Sequence, residues 1–373
     1  MSTTHLVFYD TSQAYYSSYY LNGFNELRKT HGLRMQIAHS LPARLKSAVQ
    51  NRDWQHLLFA MVLLKLQRGN RTWYVCIDTH DDNSLDIQSH HGGYHWPLLQ
   101  CVDAYFKVNY NPQIIRQTAA LAAHQQKIHS IAQFFPVRPQ CSFSLSQRLL
   151  LPSVWFGYRP SLGHGQPYLG HLAAARRRLR DLKNFLTLDQ IIAHRHASKD
   201  IDIFYVTSFR HPRRHESIME QRHHVMNKLA SIAHLNIEMG FTSQSALPEN
   251  YTHRYPRRLS QSDYLKILAR SKVVIYTQGM EGRISSKFSL AMALGIPVAG
   301  EPLLNNPELM TVYPHLTEQF GFNDPDELVD QALKLTTHPQ QAQQLGHLNA
   351  ALFDHDLAPR PAAEYILRTL QIK

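Results

Sequence analysis

Short apolar runs alternate with longer amphipathic stretches along most of this 373-residue chain. A short apolar run rich in β-branched residues and bounded by turn signals is typical of a buried strand, and apolar positions at helical spacing are typical of a helix. The pattern predicts strands at 6–9, 72–77, 102–108, 200–206, 235–239, 272–276 and 296–300, and helices at 11–28, 57–66, 112–126, 173–186, 217–234 and 262–269. Strands that alternate with helices indicate an α/β fold.

The segment 271–301 has a clear strand, loop, helix, strand order. Its loop contains Gly279 and Gly282, and the helix that follows Ser286 ends at Gly295. A glycine-bearing loop between the carboxyl end of a strand and a helix N-terminus offers backbone N–H groups and the positive end of the helix dipole. We therefore expect a phosphate-bearing ligand at this loop.

Prolines and glycines interrupt the pattern between 134 and 170, so no long element is predicted there. A chain of 373 residues is also too long for one ordinary core. We predict two Rossmann-like domains joined by a crossover. The expected boundaries are an N-terminal domain at 1–150, a crossover with a basic helix at 151–198, a C-terminal domain at 199–350 and a C-terminal helix at 351–373 that packs back on the first domain.

The composition favours an anionic partner. The 39 Lys and Arg residues outnumber the 28 Asp and Glu residues, which gives a net charge of +11. Nucleotide phosphates, an anionic membrane surface and a nucleic acid all fit this charge. The apolar run at 57–64 is far shorter than the ~20 residues that span a bilayer, and the 3 cysteines lack metal-ligand spacing. We predict a cytoplasmic protein without a transmembrane segment, for which contact with an anionic membrane would be peripheral.

Basic residues follow the first strand of the C-terminal domain. Ser208, Arg210 and Arg214 lie between that strand and the next helix. Arginine side chains bind diphosphates through paired hydrogen bonds, so this segment is either a diphosphate site or a basic surface loop. The glycine-bearing loop and its helix add a cation, Lys287, and a carboxylate, Glu281, that could accept a hydrogen bond from a sugar or ribose hydroxyl.

Acidic residues and a histidine crowd the end of the strand predicted at 72–77. Asp78, His80 and Asp81 follow it directly. Neighbouring carboxylates raise one another's pKa, so this group could supply a general base. It could equally bind a cation, or form an Asx-turn or helix N-cap. The histidines near residue 90 lack the spacing of a helical zinc motif, so no metal site is predicted.

The C-terminal half resembles the donor-binding domain of sugar-nucleotide glycosyltransferases with the two-domain B-type fold. The resemblance covers roughly 200–335 and rests on the strand, the Gly/Glu loop, the helix that ends in LAMALG at 290–295, and the IPV that follows at 296–298. The first domain resembles the family only in layout. The family implies two Rossmann-like domains that face each other across a cleft, a nucleoside diphosphate sugar (most simply a UDP-sugar) as donor, and no required metal or cofactor.

This resemblance implies a donor site on the two loops of the C-terminal domain. Its residues are Ser208, Arg210, Arg214, Gly279, Glu281, Gly282, Ser286, Lys287 and Ser289. The chain departs from the family at one position. Many members hold the ribose with a Glu immediately before Ala-Met-Ala, and here that position is Leu290. Either Ser289 or Glu281 substitutes for it, or the nucleotide is bound differently.

A shorter resemblance links the chain to the DNA β-glucosyltransferases of T-even phages. These enzymes have a Ser-Phe-Arg segment with a second Arg four residues on, similar to Ser208-Phe209-Arg210 and Arg214. They also place an aspartate after a Tyr-bearing strand of the acceptor domain, in a position comparable to Asp78. The similarity implies that Asp78 acts as a general base.

The implied activity is transfer of a sugar from a nucleoside diphosphate to an acceptor hydroxyl of a glycan or a lipid-linked saccharide. In an inverting enzyme Asp78, or else His80 or Asp81, removes the acceptor proton, whereas a retaining enzyme needs no separate base. Three alternatives stay open. They are a DNA-modifying glycosyltransferase that acts on a hydroxylated base, a sugar-nucleotide 2-epimerase of the same fold, and a nucleic-acid-binding protein without catalysis, whose binding would depend steeply on salt.

Overall fold

The computed structural model describes residues 3–9, 11–38, 41–49, 54, 56–80, 93–138, 183–209, 216–243, 246–257, 259–279 and 282–372. The chain forms two compact units, Met1–Thr187 with Asp356–Lys373, and Leu188–His355. Each unit has its own sheet with helices, which confirms the α/β class. The crossover predicted at 151–198, with its basic helix, lies mostly outside the described residues.

The first unit is built on a six-stranded sheet with the order β2-β1-β3-β4-β5-β6. Its strands are β1 Thr4–Tyr9, β2 Arg34–Ala38, β3 Met61–Arg68, β4 Arg71–Asp78, β5 Ala104–Lys107 and β6 Ile128–Ser130. Its helices are α1 Ala14–His31, α2 Ala43–Val49, α3 Trp96–Cys101, α4 Pro112–Gln117 and α5 Ala119–Ala122. The single helix predicted at 112–126 is thus divided, and a 3-10 turn at Gln125–Lys127 completes the stretch.

The prediction of a helix at 57–66 is wrong. A 3-10 turn, His56–Ala60, leads into β3, which pairs antiparallel with β1 on one side and β4 on the other. The remaining pairs in this sheet, β1 with β2, β4 with β5 and β5 with β6, are parallel. A central strand buried on both faces has an unbroken apolar sequence, which periodicity alone does not distinguish from a buried helix. Gly69, with φ +56, lies in the β3–β4 turn.

The C-terminal end of the chain packs on α1. Tyr19 donates a hydrogen bond of 2.5 Å to the carbonyl oxygen of Leu357. Gly23 allows the close approach of the following helix, Pro359–Thr369, because a Cβ at this position would lie 1.9 Å from the carbonyl oxygen of Pro359. The final helix therefore belongs to the first unit although the second unit precedes it in sequence.

The second unit has a four-stranded parallel sheet with the order β10-β9-β7-β8. Its strands are β7 Ile201–Ser208, β8 Ile237–Thr242, β9 Ser271–Tyr276 and β10 Val298–Gly300. Its helices are α6 Leu188–Ile192, α7 Glu216–Ala230, α8 Gln261–Ala269, α9 Ser286–Leu294, α10 Glu308–Val312, α11 Pro325–Thr337 and α12 Pro339–Leu352, and the helix Pro359–Thr369 of the first unit is α13.

The helix α9 begins and ends where the sequence predicts. Ser285, in extended conformation, is its N-cap, although the side chain of Ser285 forms no capping hydrogen bond, and Gly295 ends the helix with the left-handed φ of 62°. Its residues from Phe288 onward are buried, so this helix lies inside the second unit. The apolar sequence of α9 therefore reflects burial on all sides.

Candidate functional site

The carboxyl edge of the parallel sheet is the candidate site of the second unit. β7 lies between β8 and β9. The chain passes from β7 through α7 to β8 on one side, and then through α8 to β9 on the other side. The connections thus diverge beside β7, and open α/β sheets bind ligands outside the carboxyl ends of strands at such a switch point.

Arg222, on α7, forms hydrogen bonds with both the end of β7 and the segment that directly follows β9. Its Nη1 donates to the carbonyl oxygen of Ser208 at 3.1 Å and its Nη2 donates to that of Gln278 at 2.8 Å. The side chain is buried, and its Nε has no partner among the described residues. Burial lowers the pKa of Arg222, but a guanidinium remains charged in proteins. A buried cation with an unused donor favours a ligand that accepts hydrogen bonds.

Lys287 places a second cation at the same edge. It lies in the first turn of α9, and its Nζ lies 5.3 Å from the ring centroid of Tyr205. The pKa of Lys287 is lowered to about 7, because burial and, to a smaller extent, the charge of Arg222 lower it by more than the charge of Glu301 raises it. A cation at a helix N-terminus also opposes the helix dipole. This position is therefore unfavourable for a charged lysine unless an anion binds beside it.

Glu301 places a carboxylate directly after β10. Its side chain is only 7% exposed, and its Oε2 accepts a hydrogen bond of 2.6 Å from the backbone N–H of Gln278. Burial raises the pKa of Glu301, although the hydrogen bond from Gln278 and the charges of Arg222 and Lys287 oppose this rise. The site therefore combines two cations with one buried carboxylate.

The loop between β9 and α9 has a defined shape. The hydroxyl of Tyr276 donates to the carbonyl oxygen of Arg283 at 3.1 Å and accepts from the backbone N–H of Ser285 at 3.2 Å. Gly282 has φ +74, and a Cβ there would lie 2.9 Å from the Cβ of Leu304. This position requires glycine for both reasons.

The predicted donor-site residues divide into three groups. The structure places Ser208, Gly279, Gly282, Ser286 and Lys287 at the carboxyl edge of the sheet. Ser289 is also on α9 but is fully buried, and Leu290 beside it is buried as well. Arg210, Arg214 and Glu281 lie outside the described residues, so their roles stay predictions.

Asp78, in the first unit, is held in a buried network. Its Oδ2 accepts hydrogen bonds from the Tyr105 hydroxyl at 2.5 Å and from Lys107 Nζ at 2.8 Å, and its Oδ1 accepts from the backbone N–H of His80 at 2.9 Å. Asp78 and Lys107 are both fully buried. Burial acts to raise the pKa of Asp78, but the charges and hydrogen bonds of Lys107, His80 and Tyr105 outweigh it and lower that pKa.

His80 is also buried and bonded. Its Nε2 lies 2.7 Å from the carbonyl oxygen of Leu57, and its own carbonyl accepts from Asn109 Nδ2 at 3.3 Å. This network fixes the start of the loop that follows β4 and favours a structural role for Asp78. Asp81 lies outside the described residues. The general-base hypothesis for Asp78, His80 and Asp81 stays a prediction.

Three residues of these two networks were missed by the sequence interpretation, namely Lys107, Arg222 and Glu301. Lys107 and Glu301 lie inside or directly beside apolar segments, whereas Arg222 lies among polar residues of α7. Charged side chains are rarely buried unless they are paired or functional. Lys107 closes the apolar strand β5 and Glu301 follows the apolar strand β10, so this signal was present in the sequence.

The described part of the chain contains neither a metal-ligand cluster nor a membrane-spanning helix. No group of three or more His, Cys, Asp or Glu side chains there is placed to hold a metal ion. Within those same ranges, no helix is both long and apolar enough to cross a bilayer.

Residues 214–367 match the family model described as glycosyl transferase-like. The matched segment includes Arg222, Lys287 and Glu301, and the predicted resemblance to glycosyltransferases is confirmed for this part of the chain. Among solved structures, the chain is similar to the UDP-GlcNAc 2-epimerase from Neisseria meningitidis bound to UDP-GlcNAc, at 10% identity and a TM-score of 0.42, over 96% of this chain and 97% of the other. A comparison with curated proteins finds no match.

Proposed function

We propose that this protein is a glycosyltransferase that moves a sugar from a nucleoside diphosphate donor to an acceptor hydroxyl. The observation that carries the proposal is the cluster of Arg222, Lys287 and Glu301 at the carboxyl edge of the second sheet, within the glycosyl transferase-like segment. This edge is where parallel α/β sheets bind phosphorylated ligands. A net positive cluster that is partly shielded from water binds a diphosphate more strongly than fully exposed lysines would.

The cations of the site have a direct role in this reaction. Breaking the bond between the sugar and the diphosphate places negative charge on the leaving phosphate. Lys287 and the first N–H groups of α9 supply positive charge in a partly desolvated place, where it stabilises that developing charge most. Arg210 and Arg214 are proposed to bind the same diphosphate from the loop after β7. Arg222 holds the two strand ends at a fixed separation through Ser208 and Gln278.

Lys287 is also expected to take up a proton when the donor binds. Its pKa of about 7 in the free site means that roughly half of the molecules carry the charge at neutral pH. A bound diphosphate raises this pKa because the opposite charge favours the protonated amine. Donor affinity is therefore highest below pH 7 and falls by up to about tenfold per pH unit above it.

The finer features of the reaction belong to the proposal as well. We infer a UDP-sugar as donor, no required metal, and a glycan or lipid-linked saccharide as acceptor. Asp78, His80 or Asp81 remains the proposed base of an inverting reaction. The buried ion pair of Asp78 with Lys107 favours His80 or Asp81 over Asp78 for this task, because a carboxylate with a lowered pKa is a weak base.

A ligand-binding experiment tests the proposal. The full chain is titrated with UDP, GDP and ADP by calorimetry at pH 6.5, alongside Lys287→Met and a control, Lys266→Met, which removes an exposed lysine from α8 in the same unit. We expect one nucleotide to bind the wild type and the control equally and Lys287→Met at least about tenfold more weakly. Absence of binding by all three nucleotides refutes the donor site.

Product analysis then identifies the reaction. The nucleotide that binds is supplied as its radiolabelled sugar conjugate together with an oligosaccharide, a polyprenyl-phosphate-linked saccharide or duplex DNA with hydroxymethylated bases. Transfer of label to one of these supports the glycosyltransferase and selects its acceptor. Isomerisation of the sugar nucleotide without transfer would instead support an epimerase.

A further inference from the structure

Glu301 and Asp78 are both buried carboxylates, but they differ in the number of hydrogen bonds that they accept. Asp78 accepts two side-chain hydrogen bonds and one backbone hydrogen bond, and its pKa is lowered. Glu301 is also buried, yet in the described part of the chain only the backbone N–H of Gln278 donates to it. A carboxylate has about four acceptor positions, so most of those on Glu301 are not filled by described protein groups.

The surrounding charges do not replace these hydrogen bonds. Arg222 and Lys287 act on Glu301 through space, but neither forms an ion-pair contact with it, since the guanidinium donates to Ser208 and Gln278 instead. An underbonded carboxylate in a buried place is unfavourable, which agrees with the raised pKa of Glu301. The missing partners are hydrogen-bond donors that carry no negative charge.

The location of Glu301 indicates where such donors come from. It follows β10 at the same sheet edge as Lys287, and its Oε2 is fixed to the backbone of the loop after β9. A ligand whose diphosphate binds the cations presents its hydroxyl groups within the same site. Two adjacent hydroxyls match the two oxygens of a carboxylate.

We propose that Glu301 binds a vicinal diol of the ligand and thereby determines the specificity of the site. This inference rests on the proposed function. The diol belongs either to the ribose of the nucleotide or to the sugar that is transferred, and these two sources share the same chemistry. At the position next to Ala-Met-Ala, the chain has the buried Leu290, which offers no such acceptor.

The test compares ligands with and without each diol. Dissociation constants are measured for UDP, 2′,3′-dideoxy-UDP and UDP-glucose with the wild type, Glu301→Gln, Glu301→Asp and a control, Glu308→Gln, which alters an exposed residue of α10. If the ribose diol is bound, the wild type and the control bind UDP roughly 10- to 100-fold more tightly than dideoxy-UDP. In Glu301→Gln this ratio falls toward one. If the sugar diol is bound, the ratio of UDP-glucose to UDP affinities shows the same loss.

The variants distinguish binding of a diol by Glu301 from a general disturbance of the site. A variant that weakens all ligands by the same factor has disturbed only the loop at Gln278, and this overturns the proposal. Glu301→Asp retains the charge with a shorter reach and is expected to discriminate less than the wild type, which covers the case that Glu301→Gln does not fold. The wild type alone also tests the idea, because equal affinities for all three ligands refute it. If the wild type binds GDP or ADP in place of UDP, the same comparison is made with that nucleotide. A wild type that binds none of the three nucleotides refutes the proposed function itself, and this inference with it.

Discussion

The pKa of Lys287 leads to a prediction about stability. In the unfolded chain this lysine has its ordinary pKa of 10.5, whereas in the folded protein the pKa is about 7. Below pH 7 both states carry the proton, and the folded state bears the full cost of the charge. Between about pH 7 and 10.5 the unfolded chain binds more protons, so this cost disappears as the pH rises. We therefore expect Lys287→Met to stabilise the protein at pH 6 and to have little effect near pH 10.

The size of this effect has an upper limit. A shift from 10.5 to about 7 corresponds to roughly 5 kcal/mol, at 1.36 kcal/mol for each pKa unit. Lys287 keeps some contact with solvent, which screens its charge, so we expect a gain of about 2 kcal/mol at pH 6. Methionine is unbranched and flexible like lysine, so it replaces the aliphatic part of the side chain and removes only the charge. The lysine is thus predicted to cost stability for the benefit of ligand binding.

Urea unfolding at pH 6, 8 and 10 measures the gain. The tryptophans that the structure describes, Trp54, Trp73 and Trp96, belong to the first unit, so a probe within the second unit is needed. Hydrogen exchange of peptides from β9 and α9 follows the relevant unit directly. The control Lys266→Met is expected to change stability by less than about 0.5 kcal/mol at every pH. A loss of stability in Lys287→Met at pH 6, or a gain that is the same at all three pH values, would refute the reasoning.

Three further predictions concern single contacts. Asp78→Asn leaves the buried Lys107 without its carboxylate partner, and we expect urea unfolding to show that the first unit loses about 3–5 kcal/mol of stability. The double variant Asp78→Asn with Lys107→Met is expected to recover most of this loss. Normal stability of Asp78→Asn would contradict the prediction. Arg222→Met removes the donor to the carbonyl oxygens of Ser208 and Gln278, so calorimetry should show a lower Tm and weaker nucleotide binding. An unchanged Tm would contradict a stabilising role for these two hydrogen bonds. Gly282→Ala should destabilise the protein by about 1–3 kcal/mol more than Gly69→Ala. Gly69 also has a positive φ, but a Cβ at that position would contact no other residue. Equal urea midpoints for the two variants would exclude the predicted clash with Leu304.

The residues of α9 illustrate what local sequence can specify. Ser285 and Gly295 define the ends of this helix through backbone conformations that are favourable for those residue types, and the structure has both. The helix α8 has a side-chain cap in addition, because the Ser260 hydroxyl accepts a hydrogen bond from the backbone N–H of Asp263. Such signals depend on a few neighbouring residues, so they are readable without the fold.

The stretch 57–66 illustrates the opposite case. Its apolar sequence is compatible with a buried helix or a buried strand, and the pairing of β3 between β1 and β4 selects the strand. The hypothesis that Asp78 is a general base was limited in a similar way, because the sequence alone did not show which residues surround Asp78. Its position after β4 was visible in the sequence, but its partners Tyr105 and Lys107 come from β5, the neighbouring strand, and they determine its low pKa.

The sequence by itself determined the α/β class, the strand, loop, helix, strand order of 271–301, and Lys287 as a cation at the helix N-terminus. These follow from periodicity, capping and residue type, which are local properties of the chain. Only the tertiary structure decided that Arg222 and Glu301 both contact Gln278 at the carboxyl edge of the second sheet, because the sheet order β10-β9-β7-β8 brings together residues that are far apart in sequence. Burial and long-range charge, which set the pKa of Lys287 and of Glu301, likewise exist only once the chain is folded.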